Sequence, residues 1–218
     1  MEPIEILYQD ADIVVCIKPR GVLSQAGAPG QETMLTGLAE QLGGTFYPVH
    51  RLDRQVGGVM VYARTSAAAG ALGREIQQGN LKKEYLAAVL GAPTEKQGEL
   101  EDLLFHDIRK NKSYVVKRIR GGVKKARLAY RVLAEHPDQS LVQVRLYTGR
   151  THQIRVQFAS RRLPLVGDER YGGGKGDPAL WSARITFRHP RKQETLCFQA
   201  LPDSLGSFTA LPALVDME

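Results

Sequence analysis

An α+β fold with a mixed, largely antiparallel sheet is predicted by three features of this sequence. Short apolar or alternating segments follow one another directly. Few helical stretches interrupt them, and these do not alternate with strands as βα units would. Glycine- and proline-rich turns punctuate the series.

Taken in order, Ile4–Tyr8 and Asp12–Lys18 read as strands. The second contains the continuous apolar run Ile13-Val14-Val15-Cys16-Ile17, expected of a strand buried on both faces. Lys18-Pro19-Arg20-Gly21 ends it, and Ser24–Glu32 is expected to be a mobile loop. Thr33 caps a helix through Leu42, with Met34, Leu35, Leu38 and Leu42 on one face and Gly43-Gly44 as its stop. A strand at 59–63 precedes a helix capped by Thr65 or Ser66 and running to Gln78, with Ala68, Leu72 and Ile76 facing inward. Strands follow at 82–90 and 98–105. Ser113–Val116 and Ala126–Tyr130 flank Gly121-Gly122, which predicts a hairpin with a basic tip. After a strand at Ser140–Tyr147, Thr148 or Thr151 starts a helix through Ser160. A glycine-rich loop surrounds Asp168 and Tyr171. Two last strands, Ala183–Phe187 and Thr195–Ala200, flank the turn at His189–Lys192. No internal repeat or long linker divides the chain, so residues 1–218 are expected to form one domain.

Composition excludes several classes. The chain has 218 residues, 43% of them hydrophobic and 24% charged, which is ordinary for a globular protein and unlike disorder. Cys16 and Cys197, the only cysteines, sit in apolar runs without metal-ligand spacing. They are expected to be buried, reduced thiols in a cytoplasmic protein. No signal peptide is apparent, and no apolar run approaches the ~18 residues that would span a bilayer. The net charge of +7 favours a polyanionic partner. Its distribution says more. Residues 109–127 hold nine lysines and arginines and no acidic residue, whereas ordinary solvated surfaces mix signs. On charge alone a solvated hairpin and a nucleic-acid arm weigh equally; the missing carboxylates favour the arm.

The five histidines share no helix face at i+4 and form no cluster with cysteine, so no metal site is expected. The chain has no Gly-x-Ser-x-Gly elbow, and the glycines at 172–176 lack the trailing Lys-Ser/Thr of a P-loop. Gly57-Gly58 is read as permitting close backbone packing behind Asp53. The remaining feature is His50-Arg51-Leu52-Asp53-Arg54, a carboxylate between two arginines. A loop salt bridge is the commoner explanation of that tripeptide alone. The other is a carboxylate kept anionic by a cation while substrate covers it. Tyr85 as a core residue and Arg155 as a surface residue are likewise the commoner readings of each taken singly.

The joint pattern changes the weighting. Ile17-Lys18-Pro19-Arg20-Gly21, His50-Arg51-Leu52-Asp53, Lys83-Glu84-Tyr85, Thr148-Gly149-Arg150-Thr151-His152-Gln153-Ile154-Arg155, Pro164-Leu165-Val166-Gly167-Asp168 and Tyr171-Gly172 occur in this order. In them the chain resembles the RluA-type pseudouridine synthases over nearly its whole length. The resemblance implies the fold of that family, a bent, largely antiparallel mixed sheet flanked by helices and loops. It implies isomerisation of uridine in structured RNA, either a stem-loop of ribosomal RNA or one of transfer RNA, without a cofactor.

By the same resemblance Asp53 is the catalytic aspartate, Tyr85 the active-site tyrosine and Arg155 the active-site arginine, expected to pair with Asp53. Arg51 serves around the flipped nucleotide, and Leu180 lines the pocket. Arg54, Lys82, Lys83, Lys124, Lys125, Arg150 and His152 complete the expected RNA-binding set. Two departures bear on substrate choice. Val56-Gly57-Gly58 stands where the family has Thr-Ser-Gly, and Trp181-Ser182 where it often has His-Ala. Family members often carry an N-terminal S4 domain. Here the catalytic part comes first, so RNA binding is expected from the domain itself, acting as a monomer. A non-catalytic RNA-binding protein of the same fold is the alternative from another class, and a metal-dependent hydrolase using His50 and Asp53 is a weaker third.

Overall fold

Strands β1 (Ile6–Gln9) and β2 (Ile13–Lys18) form where β-branched residues succeed one another, and they pair antiparallel. The structure, a computed structural model, describes residues 2–25 and 30–217. Residues 26–29 of the expected mobile loop lie outside the described residues. The chain divides into two compact units, Met1–Lys83 with Ser182–Leu201 and Glu84–Trp181 with Pro202–Glu218.

In the first unit, helix α1 (Met34–Leu42) starts at Thr33. The Thr33 hydroxyl accepts from the Thr36 amide, and Thr36 Oγ1 accepts from the Thr33 amide. This reciprocal capping box satisfies two amides that a helix start otherwise leaves open. A two-residue strand β3 (Tyr47–Pro48) pairs with β4 (Gly57–Ala63), which also pairs antiparallel with β2. Every residue of β4 is buried. Helix α2 (Ser66–Gln77), capped by Thr65 through the Ala68 amide, packs on β4. Ala68 and Leu72 join Ile13, Val15, Val59 and Val61 in one apolar cluster. Full burial of Leu72 contributes about 1.5–3 kcal/mol.

The later strands of this unit are β10 (Leu180–Arg188), from Ser182 onward, and β11 (Thr195–Gln199), giving the order β1-β2-β4-β10 with β11 outside β10. Cys16 is buried, and burial pushes its thiol up to about 12. Cys197 is free but exposed, contrary to expectation. On β11 the residues Leu196 and Phe198 pack against the core cluster. Cys197 lies between them and faces outward with Thr195 and Gln199.

The second unit carries β5 (Lys82–Leu90) from Glu84 onward, β6 (Gln97–Asp107), β7 (Lys112–Val116), β8 (Val123–His136) and β9 (Gln139–Leu146), in the order β5-β9-β8-β6-β7. One expectation is corrected here. Ser113–Val116 and Ala126–Tyr130 do not form a hairpin with each other. β6 lies between them and pairs antiparallel with both. The turn that decides this is at 108–111. There Asn111 adopts φ 44°, its amide reaches the Ile108 carbonyl, and Asp107 Oδ1 accepts from the Lys110 amide. An aspartate and a left-handed asparagine are a tight-turn chemistry, so β7 folds back on β6. Gly121-Gly122 then belongs to a connection crossing from β7 to β8.

Helix α3 (Gln153–Ala159) packs against β6 and β7. Neither Thr148 nor Thr151 caps it. The helix begins after His152, which has φ 55° and makes no side-chain cap. Thr148 Oγ1 instead donates to Gln153 Oε1, which also accepts from the Arg150 amide. A 3₁₀ turn at Glu169–Tyr171 breaks the glycine-rich loop. Among the described residues no helix is long and apolar enough to cross a membrane.

Candidate active site

Asp53 sits half-buried on the loop before β4, and residues 18–24 hold that loop. Lys18 is fully buried. Its ammonium donates to the carbonyls of Pro19 (2.8 Å), Val22 (2.7 Å) and Arg54 (3.1 Å). The Gly21 amide also donates to Arg54 O, and Arg54 Nε returns a bond to Gly21 O at 2.7 Å. Ser24 Oγ donates to Leu52 O and accepts from the Leu52 amide. The peptides on both sides of Asp53 are thus fixed to one turn. Burial lowers the Lys18 ammonium to about 8, against the opposing pull of the Asp53 charge.

Behind the loop, Gly58 has φ +120°, and a Cβ there would stand 2.2 Å from the Ser182 carbonyl oxygen. No side chain fits, so the expected close backbone approach is found, against β10. His50 accepts the Val61 amide at Nε2. Burial first, and then the charge of Lys83, lower its pKa to about 3, so the imidazole is neutral. Burial also lowers the Lys83 ammonium. Arg51 and Arg54 are exposed, as is Lys82.

The second unit holds the other predicted residues. Tyr85 is buried in β5 and Leu180 at the start of β10. Arg155 on α3 is buried, and its guanidinium meets Asp168 in a two-point bond, Nε to Oδ2 at 2.7 Å and Nη2 to Oδ1 at 2.8 Å. This fork-to-carboxylate geometry fixes the plane of the guanidinium as well as its position. Tyr171 covers it, its ring centre 5.2 Å from Arg155 Cζ. Burial pushes the Tyr171 hydroxyl up to about 12. That hydroxyl accepts from the Ser113 amide and bonds His152 Nδ1 at 3.0 Å. Arg150 Nε donates to the Lys125 carbonyl, which ties the start of the α3 segment to β8. Lys124 and Lys125 are exposed on β8.

Three residues given no role from sequence hold predicted residues within their own units: Lys18 fixes the loop of Asp53 in the first, and Asp168 and Tyr171 hold Arg155 in the second. Each lies inside a stretch that carries the resemblance, which was the available signal. Asp10, Asp12 and His189 are a further group whose donor atoms converge. Each of the three already has hydrogen-bond partners. His189 Nδ1 accepts from the amides of Arg191 and Lys192, so Nε2 carries the proton and donates a hydrogen bond to Asp10 Oδ2. Asp12 accepts from Arg191. Burial alone would raise the Asp10 carboxyl. The amides of Asp12 and Ile13, with Tyr8 and His189, outweigh it and hold the group well below the usual carboxylate range. This is a structural clasp.

The family model described as RNA pseudouridylate synthase matches residues 12–160. The chain belongs to that family, as one of its RluA-type members. The ribosomal large subunit pseudouridine synthase D of Nitrosomonas europaea is 34% identical over 94% of this chain. The protein of the same name in Vibrio parahaemolyticus is 32% identical over 95% of it. This chain spans 64% of the length of the first and 70% of the second. The solved structure of human RNA pseudouridylate synthase domain containing 1 superposes with a TM-score of 0.77, covering 93% of this chain and 84% of the human chain at 24% identity. The fold is that of the pseudouridylate synthases.

Proposed function

We propose that this chain isomerises specific uridines in structured RNA to pseudouridine, with Asp53 as nucleophile. The observation that carries the reading is the family match across residues 12–160, a span that includes Asp53, Tyr85 and Arg155. The named relatives act on large-subunit ribosomal RNA, which makes ribosomal RNA the first substrate to try and transfer RNA the second.

In this reaction the C1′–N1 bond breaks, the base turns, C1′ joins C5, C5 gives up its proton and N1 takes one up. It is redox-neutral and requires no cofactor. The target base must leave its stack for a pocket, at a cost of a few kcal/mol. Asp53 supplies the anion, and Arg155 holds it ionised where water is scarce. Tyr85 stacks on the uracil and assists proton transfer at C5. Arg51 occupies the space the nucleotide vacates, and Leu180 lines the pocket. Arg54, Lys82, Lys83, Lys124, Lys125, Arg150 and His152 contact the RNA, with phosphates as their main partners. Residues 1–218 act as a single catalytic domain, monomeric and cytoplasmic.

The Asp53→Asn variant keeps the shape and loses the charge. Pseudouridine mapping of RNA treated with it is expected to show no product, while the unaltered chain converts its target. Equal turnover by both would remove Asp53 from the chemistry.

A further inference from the structure

Two isoleucines in the second unit are exposed far beyond the other large apolar side chains of the described residues. Ile108, in the β6–β7 turn, is 84% exposed, and Ile119, in the β7–β8 connection, 72%; the next are Val115 and Tyr147 at 37%. Single exposed apolar residues are ordinary, but these two share an unusual setting. Arg109 and Lys110 follow the first. Lys117, Arg118 and Arg120 surround the second, and all five are exposed.

Both turns are braced from below. Arg120 lies over the Phe105 ring at 5.0 Å, and its carbonyl takes the Val123 amide. Arg170 donates to the Lys110 carbonyl, and Asp107 holds the Lys110 amide. The backbone is therefore fixed while the two side chains project into solvent, where neither gains from burial. Their neighbours fit a polyanion, and the isoleucines themselves fit the apolar face of an unstacked base.

We infer that Ile108 and Ile119 are base-contacting wedges, which enter an unpaired stretch of RNA while the flanking cations hold its phosphates. The inference rests on the RNA-modifying reading above and adds the substrate feature that these two residues, one at each end of β7, select. Wedges of this kind open base steps, and RNA recognition concentrates on loops and bulges whose bases can be splayed. Phosphate contacts position the strand, and base contacts choose where it is engaged.

The test separates the two contributions by their salt dependence. Binding of a stem-loop RNA carrying 2-aminopurine in its loop is measured across a salt series, for the unaltered chain, for Ile108→Ser, for Ile119→Ser, and for the double variant Lys117→Gln with Arg118→Gln. Each serine variant is expected to bind about five-fold more weakly, as for half-burial of one isoleucine. Its slope of log affinity against log salt should be unchanged, and the rise in 2-aminopurine fluorescence should shrink. The glutamine pair should flatten the slope by roughly 0.7 per lost single-strand phosphate contact. Full affinity and full fluorescence in both serine variants overturn the inference and leave the RNA reading intact. An equal loss of binding to a loop-free duplex also overturns it. So does self-association in sedimentation that the serine variants abolish, because the isoleucines are then contacts between copies. If the unaltered chain binds no RNA, both readings fall.

Discussion

In the first unit the buried cation beside the predicted nucleophile, Lys18, is surrounded by three carbonyl oxygens. In the second unit the buried cation, Arg155, is clasped by a carboxylate. The two arrangements solve different problems. Carbonyl dipoles can be gathered from several points of the chain, so the lysine fastens a turn and fixes the backbone around Asp53. A carboxylate holds a guanidinium in one plane, so Asp168 fixes the direction of a side chain. Backbone placement comes from a point charge, and side-chain aim from a fork.

The largest expected effect is on the fork. Asp168→Asn removes one charge of a buried pair, which typically costs about 3–5 kcal/mol. Urea unfolding should show that loss; a change under about 1 kcal/mol would mean the pair contributes orientation and little stability. The tether should be less costly to remove. Lys18→Met leaves carbonyls of Pro19 and Val22 without this donor, and about 1–3 kcal/mol is expected for such an orphaned acceptor.

Proton loss at Lys18 sharpens the contrast further. Its folded-state value of about 8 lies below the ordinary 10.5. Between those values the unfolded chain binds more protons, so this group's contribution to stability rises with pH in that window. The neutral amine, however, has two N–H donors for three carbonyls. Activity should therefore fall above about pH 8 while the fold does not weaken on this account. Lys18→Arg, which cannot lose its proton in this range, should lack the alkaline fall if it retains activity. A pH–rate profile unchanged between the two would detach Lys18 from the working geometry of Asp53. The smallest effect expected is at a helix start. Thr33→Ala should cost about 1 kcal/mol, read as a small shift in thermal midpoint, because it opens the capping box of α1.

Local chemistry was legible in the sequence wherever it was decided locally. Thr33 and Thr65 cap their helices because a hydroxyl at a helix start has amides within reach. The same rule failed at α3, where Gln153 occupies the Thr148 hydroxyl. The hairpin was misplaced because two glycines between apolar runs looked like a tip; Asp107 and Asn111 carried the true turn. Cys197 was read as buried because an apolar run does not show which alternate residues face outward on an outer strand. The family's own residues were legible through the ordered stretches around Asp53 and Arg155. Asp168 and Lys18 lay in those stretches without a visible role. One bonds a partner 13 residues away and the other a carbonyl 36 residues away, and no local pattern reports such distances.

The clasp between Asp10 and His189 closes a span of 179 residues. It has a temporal consequence. During translation β4 is complete at Ala63, but the strand beside it, β10, reaches the first unit only at Ser182. At about 5–20 residues per second the ribosome needs roughly 6–24 s to cover that gap. For that interval a strand destined for complete burial waits with one flank open. The nascent chain is most exposed to chaperones, and to its neighbours on the polysome, before the clasp can shut.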